Sequence, residues 1–135
     1  MNTLVVDDDF LCRKLLQKIL SPYGECDIAV NGEEALSAFE IALNEESPYN
    51  LICLDIMMPN LDGQETLKRI RQIESERGIG GLDGVKIIMV TALKDGKNIL
   101  GAFKAGCETY IIKPITREKI LTELEKLRLI ATGIQ

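Results

Sequence analysis

The chain has 135 residues, 46% of them hydrophobic and 27% charged, which is enough for one buried core and hardly more. No apolar run approaches the ~18 residues of a membrane span, and the composition is that of a globular protein rather than a disordered one. Sixteen basic against twenty-one acidic residues leave a net charge of −5, which opposes a phosphate-driven grip on DNA, and the absence of histidine excludes Ser/His/Asp triads, His-ligated metals and a phosphohistidine carrier.

Residues 1–6 lack the basic stretch and longer apolar core of a secretory signal and run directly into acids, so a cytoplasmic location is expected. Within them Thr3–Val6 reads as a strand. Leu11, Leu15, Leu16, Ile19 and Leu20 then recur at helical spacing, with Asp9 placed to cap that helix. A second strand is expected over residues 27–30. Asn31 with Glu34 three positions on has the form of a helix cap, and Leu36, Phe39 and Leu43 supply the stripe that follows. Leu51–Leu54 is a third, wholly apolar strand. Asp62 with Glu65 repeats the capping pattern ahead of Leu67, Ile70 and Ile73.

The glycine-dense run at residues 78–84 reads as a flexible connection. It is no dinucleotide fingerprint, because Asp83 takes the third glycine position and the order is helix to strand. Residues 85–90 form the fourth expected strand and Ile99, Leu100 and Phe103 mark a short fourth helix. Thr109–Ile112 is the fifth strand, and Thr116 caps a helix striped by Ile120, Leu121, Leu124 and Leu127.

Five βα units in strict alternation imply a parallel sheet covered by helices on both faces, since each parallel return needs a right-handed crossover. At this length the flavodoxin-like order 2-1-3-4-5 is the natural solution. The four cysteines, Cys12, Cys26, Cys53 and Cys107, form no CxxC pair and fall in or beside apolar segments, so reduced structural thiols are expected.

Ligands of such a sheet bind beyond the carboxyl ends of its strands. There the first strand runs into Asp7, Asp8 and Asp9, the third into Asp55, the fourth into Thr91 and the fifth into Lys113 and Pro114. Asp7, Asp8 and Asp55 crowd like charges into one concavity, which a hard divalent cation relieves. With only carboxylates, carbonyls and water as donors, Mg²⁺ is expected rather than zinc. A cation, a carboxylate on a rigid strand end, a hydroxyl and a lysine are the parts that handle a phosphoryl group, with Asp55 as the nucleophile.

The residues Val6-Asp7-Asp8, the run Asp55-Ile56-Met57-Met58-Pro59-Asn60-Leu61-Asp62-Gly63, the pair Thr91-Ala92 and the run Tyr110-Ile111-Ile112-Lys113-Pro114 together resemble the receiver domain of two-component response regulators, the CheY-like fold. The likeness extends over nearly the whole chain. It implies that Asp55 accepts phosphate from a sensor histidine kinase. It implies that Asp8 and Asp55 hold Mg²⁺ directly with the Met57 backbone carbonyl, and Asp7 through water. It also implies that Thr91 and Lys113 contact the phosphoryl oxygens, that Ala92 leaves access beside them, and that Lys113-Pro114 is a cis peptide. By the same likeness Thr91 and Tyr110 are switch residues, Tyr110 changing rotamer and so altering the face made by the fourth helix, fifth strand and fifth helix.

Such a protein catalyses only its own phosphorylation and dephosphorylation and acts on no other substrate. Residues 1–130 are expected to form the receiver, and residues 131–135 a short tail without an output domain. Output would then go to a protein partner, as in chemotaxis, or by relay of the phosphate, the chain itself being a monomer or a weak phosphorylation-dependent dimer that touches neither DNA nor membrane. A receiver serving only as an interaction module is the alternative. Met57 and Leu93 are apolar where polar residues would orient an attacking water, so slow self-dephosphorylation is expected. A haloacid dehalogenase-type phosphatase needs a second Asp at position 57, and a flavodoxin phosphate cradle would be repelled by Asp7, Asp8 and Asp9.

Overall fold

The computed structural model describes residues 1–131. Five strands, β1 (Thr3–Val6), β2 (Cys26–Ala29), β3 (Leu51–Leu54), β4 (Lys86–Thr91) and β5 (Thr109–Ile112), form one parallel sheet of order β2-β1-β3-β4-β5. Five helices alternate with them: α1 (Phe10–Leu20), α2 (Gly32–Asn44), α3 (Gly63–Glu76), α4 (Gly96–Ala105) and α5 (Arg117–Lys126). The α/β class and the strand order expected from the sequence are the ones found. Of the short tail expected at residues 131–135, all but the first residue lies outside the described residues.

Strand parity divides the core in two, because successive side chains point to opposite faces of a sheet. Leu4, Val6, Ile52, Leu54, Ile87 and Met89 join one cluster, with Phe39 of α2 and Leu67 and Ile70 of α3. Val5, Leu51, Cys53, Ile88 and Val90 join the other, with Leu16, Ile19 and Leu20 of α1 and Ile120 and Leu124 of α5. Both faces being covered, β1, β3 and β4 are apolar at nearly every position. All four cysteines are free thiols. Burial pushes Cys53 up to about 12 and Cys26 and Cys107 up to about 11, which keeps them protonated and unreactive at neutral pH.

Two strands sit one residue from their expected places, and in each case a glutamate takes the amide concerned. Val30 falls outside β2 because its N–H donates to Glu34 Oε1 at 2.8 Å. Val85 falls outside β4 because its N–H donates to Glu74 Oε2 at 2.7 Å, and the ladder begins with Lys86 N–H on Asn50 O. Two helical stripes were too broad. On α1, Leu11 (72%) and Leu15 (40%) are exposed while Cys12 packs inward. On α4, Leu100 and Phe103 face solvent and Ala102 is the buried residue. The run at residues 78–84 contains a 3-10 turn at Gly81–Asp83, and Glu74 ties it down beside Arg71.

Candidate functional site

The ends of β1, β3, β4 and β5 meet at one rim. There Asp7 and Asp55 are buried and Asp8 is exposed, and their carboxylate oxygens come within 4.8 Å of one another. Lys113 reaches in from the end of β5, its Nζ donating to Asp7 Oδ2 at 2.9 Å and to Asp55 Oδ2 at 3.0 Å. The second oxygen of each buried carboxylate is held by backbone: Asp9 N–H donates to Asp7 Oδ1 at 2.9 Å, and Met57 N–H to Asp55 Oδ1 at 3.2 Å. The nucleophile proposed from sequence is thus fixed by one amide, one ammonium and a strand buried on both faces.

Electrostatically the site is underneutralised. Burial raises the Asp7 carboxyl above its ordinary value of 3.8, and the nearby Asp55 adds to the rise. The Asp9 amide and the Lys113 ammonium oppose it only in part. For Lys113, burial acts to lower the pKa, yet the hydrogen bonds to Asp7 and Asp55 outweigh it and carry the pKa above the ordinary 10.5, so the ammonium stays charged. Among the described residues, Lys113 is the ammonium paired into the cluster, and it reaches two of the three carboxylates. The donor set is hard oxygen throughout, with two of the three groups buried, which fits Mg²⁺ and suits neither zinc nor copper.

Thr91 lies fully buried at the end of β4, its Oγ1 accepting from the Leu93 N–H at 3.4 Å, and Ala92 beside it is exposed. Tyr110 on β5 is turned inward, partly buried against the α2–α4 side of the core, and its hydroxyl donates to Leu93 O at 2.7 Å. The Lys113-Pro114 peptide is cis. Asp9 caps α1 by accepting from Leu11 N–H at 3.0 Å, and its Oδ2 accepts from the Cys12 thiol at 3.2 Å, so it is withheld from the cluster.

A model of the response regulator receiver domain matches residues 3–125. The chain belongs to that family. It is 36% identical over 125 residues to the transcriptional regulatory protein ResD of Bacillus subtilis, covering 92% of this chain and 46% of ResD. It is 31% identical over 123 residues to the chemotaxis protein CheY of the same organism, covering 91% of this chain and 93% of CheY. The chain thus spans about half the length of ResD and of several other curated relatives it matches. Among solved structures, the CheX-CheY-BeF3-Mg²⁺ complex from Borrelia burgdorferi superposes with a TM-score of 0.81 at 28% identity, over 95% of this chain and 89% of that one.

Two residues at this rim of the receiver domain escaped the sequence reading. Arg13 of α1 donates from Nη1 to the Asp7 carbonyl at 2.9 Å and stacks over the Phe10 ring at 5.7 Å, bracing the turn that carries the acids. A side chain on Gly63 would overlap the Asp55 carbonyl and come within 2.7 Å of Ile56 Cα, so only glycine lets α3 start beneath the Asp55 loop. Gly63 stood in the recognised run but carried no visible reason, since the close approach belongs to the tertiary fold.

Proposed function

We propose that this chain is a phosphorylation-controlled switch in which Asp55 is the phosphoacceptor. An Asp55 carboxylate oxygen attacks the phosphorus of a phosphohistidine on a sensor histidine kinase. The phosphorus–nitrogen bond breaks, its electron pair returns to the imidazole, which takes up a proton, and an acyl phosphate remains on Asp55. The observation that carries this reading is a buried carboxylate at a strand end, held by Met57 N–H and Lys113, in a receiver domain.

Mg²⁺ would be held by Asp8 and Asp55 directly, by the Met57 carbonyl and by Asp7 through water, and when bound supplies positive charge to the oxygens of the transferring group. Thr91 and Lys113 would contact those oxygens, with Ala92 leaving access. Tyr110, inward here on Leu93 O, would report the state of Thr91 to the α4–β5–α5 face. The crystal complex named above pairs a CheY with CheX, beryllofluoride and Mg²⁺, which supports the same chemistry here.

In this reading the chain acts in the cytoplasm as a monomer or weak phosphorylation-dependent dimer. It is no enzyme toward other molecules, and it controls a protein partner, in chemotaxis or by relay. Residues 1–130 constitute the functional receiver unit. Incubation with acetyl phosphate or beryllofluoride, with and without Mg²⁺, followed by intact mass or NMR shifts, tests the assignment. Wild type is expected to be modified only with Mg²⁺, and Asp55→Asn not at all. Modification of the variant at an equal rate defeats the site.

A further inference from the structure

Charge is distributed unevenly along this chain. Residues 19–67 contain ten acidic residues and no lysine or arginine, whereas residues 68–135 hold thirteen basic against eight acidic. Seven of the ten, from Glu25 to Glu46, lie on β2, α2 and their flanking turns, and all seven are exposed. These acids thus sit on or beside the edge strand β2 and α2, at the end of the sheet remote from β4 and β5.

On that flank the sheet ends. Among the described residues β2 pairs only with β1, and no strand lies beside its outer row of N–H and C=O groups. A groove of about 640 Å³ runs between this edge and α2. Ile28 and Ile41 line it at 46% and 55% exposure, Glu25, Asp27 and Glu45 rim it, and among the described residues no lysine or arginine lines it. Tyr49 donates to Asp27 Oδ2 at 2.6 Å and so fixes one acid at the strand edge.

An open strand edge, exposed aliphatics and an uncompensated acidic rim select the occupant. Two copies joined edge to edge would set seven acids against seven, and an anionic membrane surface is repelled in the same way. We propose that the β2–α2 groove receives an extended segment of a partner protein carrying lysine or arginine together with aliphatic side chains, added as a sixth strand beside β2. This surface is independent of the phosphoacceptor rim.

The test uses ¹⁵N-labelled full chain titrated with a synthetic lysine–valine peptide about ten residues long, a glutamate–valine counterpart and a version with prolines at alternate positions. Shifts confined to β2, α2 and the turn after it, with the lysine peptide bound at least about tenfold more tightly than either control, are the expected result. Ile41→Lys, on an exposed helix face, and the pair Asp27→Lys with Ile28→Lys are expected to lose that preference, whereas Asp55→Asn retains it. Equal binding of the proline version removes the strand addition. Shifts centred elsewhere, an Ile41→Lys variant that binds like wild type, or sedimentation showing self-association that Ile41→Lys abolishes would each overturn the proposal.

Discussion

Asp7 is buried between a backbone amide and an ammonium that it shares with Asp55, and its carboxyl is raised above the ordinary 3.8, chiefly by burial. Below 3.8 the group is protonated in folded and unfolded chains alike and costs nothing. As pH rises, the unfolded chain gives up its proton first. Stability therefore falls until the folded carboxyl has also ionised, and stays lower above that point. Asn at this position keeps an acceptor for Asp9 N–H and sheds the charge. Asp7→Asn, free of divalent ions, is expected to melt at a higher temperature than wild type at pH 7, the gap closing toward pH 4. Calorimetry showing a variant less stable at pH 7 sinks the argument. A second residue-scale expectation concerns water. Met57 is 54% exposed beside Asp55, and Leu93, whose amide bonds to Thr91 Oγ1, packs against the core. Neither can orient an attacking water, so Met57→Asn with Leu93→Glu should shorten the acyl-phosphate lifetime by roughly ten- to a hundredfold, followed by loss of the phosphorylated mass. An unchanged lifetime refutes it.

At the scale of elements, α4 is the weakly held helix. It buries Ala102 alone, whereas α3 buries Gly63, Thr66, Leu67, Ile70 and Glu74. Its first turn depends on Asp95, which accepts from Asn98 N–H at 3.1 Å and from Asn98 Nδ2 at 3.0 Å. Backbone amides of α4 are expected to exchange with deuterium faster than those of α3. Asp95→Ala should accelerate the first turn of α4 several-fold further and leave α3 alone; equal protection of the two helices contradicts this. The sequence also marks where local rules stop being sufficient. Caps at Asn31, Asp62 and Thr116 were legible because the acceptor and its amide lie three residues apart. Apolar periodicity placed α4 but not its buried face, since a stripe of Ile99, Leu100 and Phe103 does not say which side the sheet lies on. Arg71 was silent for a different reason. Beyond Glu74 three positions on, its partners Gly106 O, Val85 O and Glu108 Oε1 lie 35, 14 and 37 positions away, and no spacing rule reaches that far.

For the whole molecule, legibility at the rim came from topology: once the strands are parallel and ordered 2-1-3-4-5, the residues after β1, β3, β4 and β5 must share one edge. The same convergence concentrates charge. Among the described residues three carboxylates meet one ammonium in a chain of net charge −5, and folding brings Asp55 against Asp7 and Asp8, a repulsion that the unfolded chain escapes because Asp55 lies far from that pair in sequence. A dication binding only the folded rim adds stability by mass action. At about ten times its Kd that contribution is about 1.4 kcal/mol, which for a chain of this length raises the melting temperature by about 5 °C. Mg²⁺ should give this shift in wild type, and Asp8→Asn should lose most of it while melting without metal at least as high as wild type, because Asp8 is exposed, supports no packing and adds only charge to the cluster. A control titration at matched ionic strength with a monovalent salt separates binding from screening, which acts over about 10 Å at 0.1 M and does not depend on residue 8. Equal shifts from the two salts, or an Asp8→Asn chain that responds to Mg²⁺ as wild type does, would show that the three carboxylates do not form a metal site.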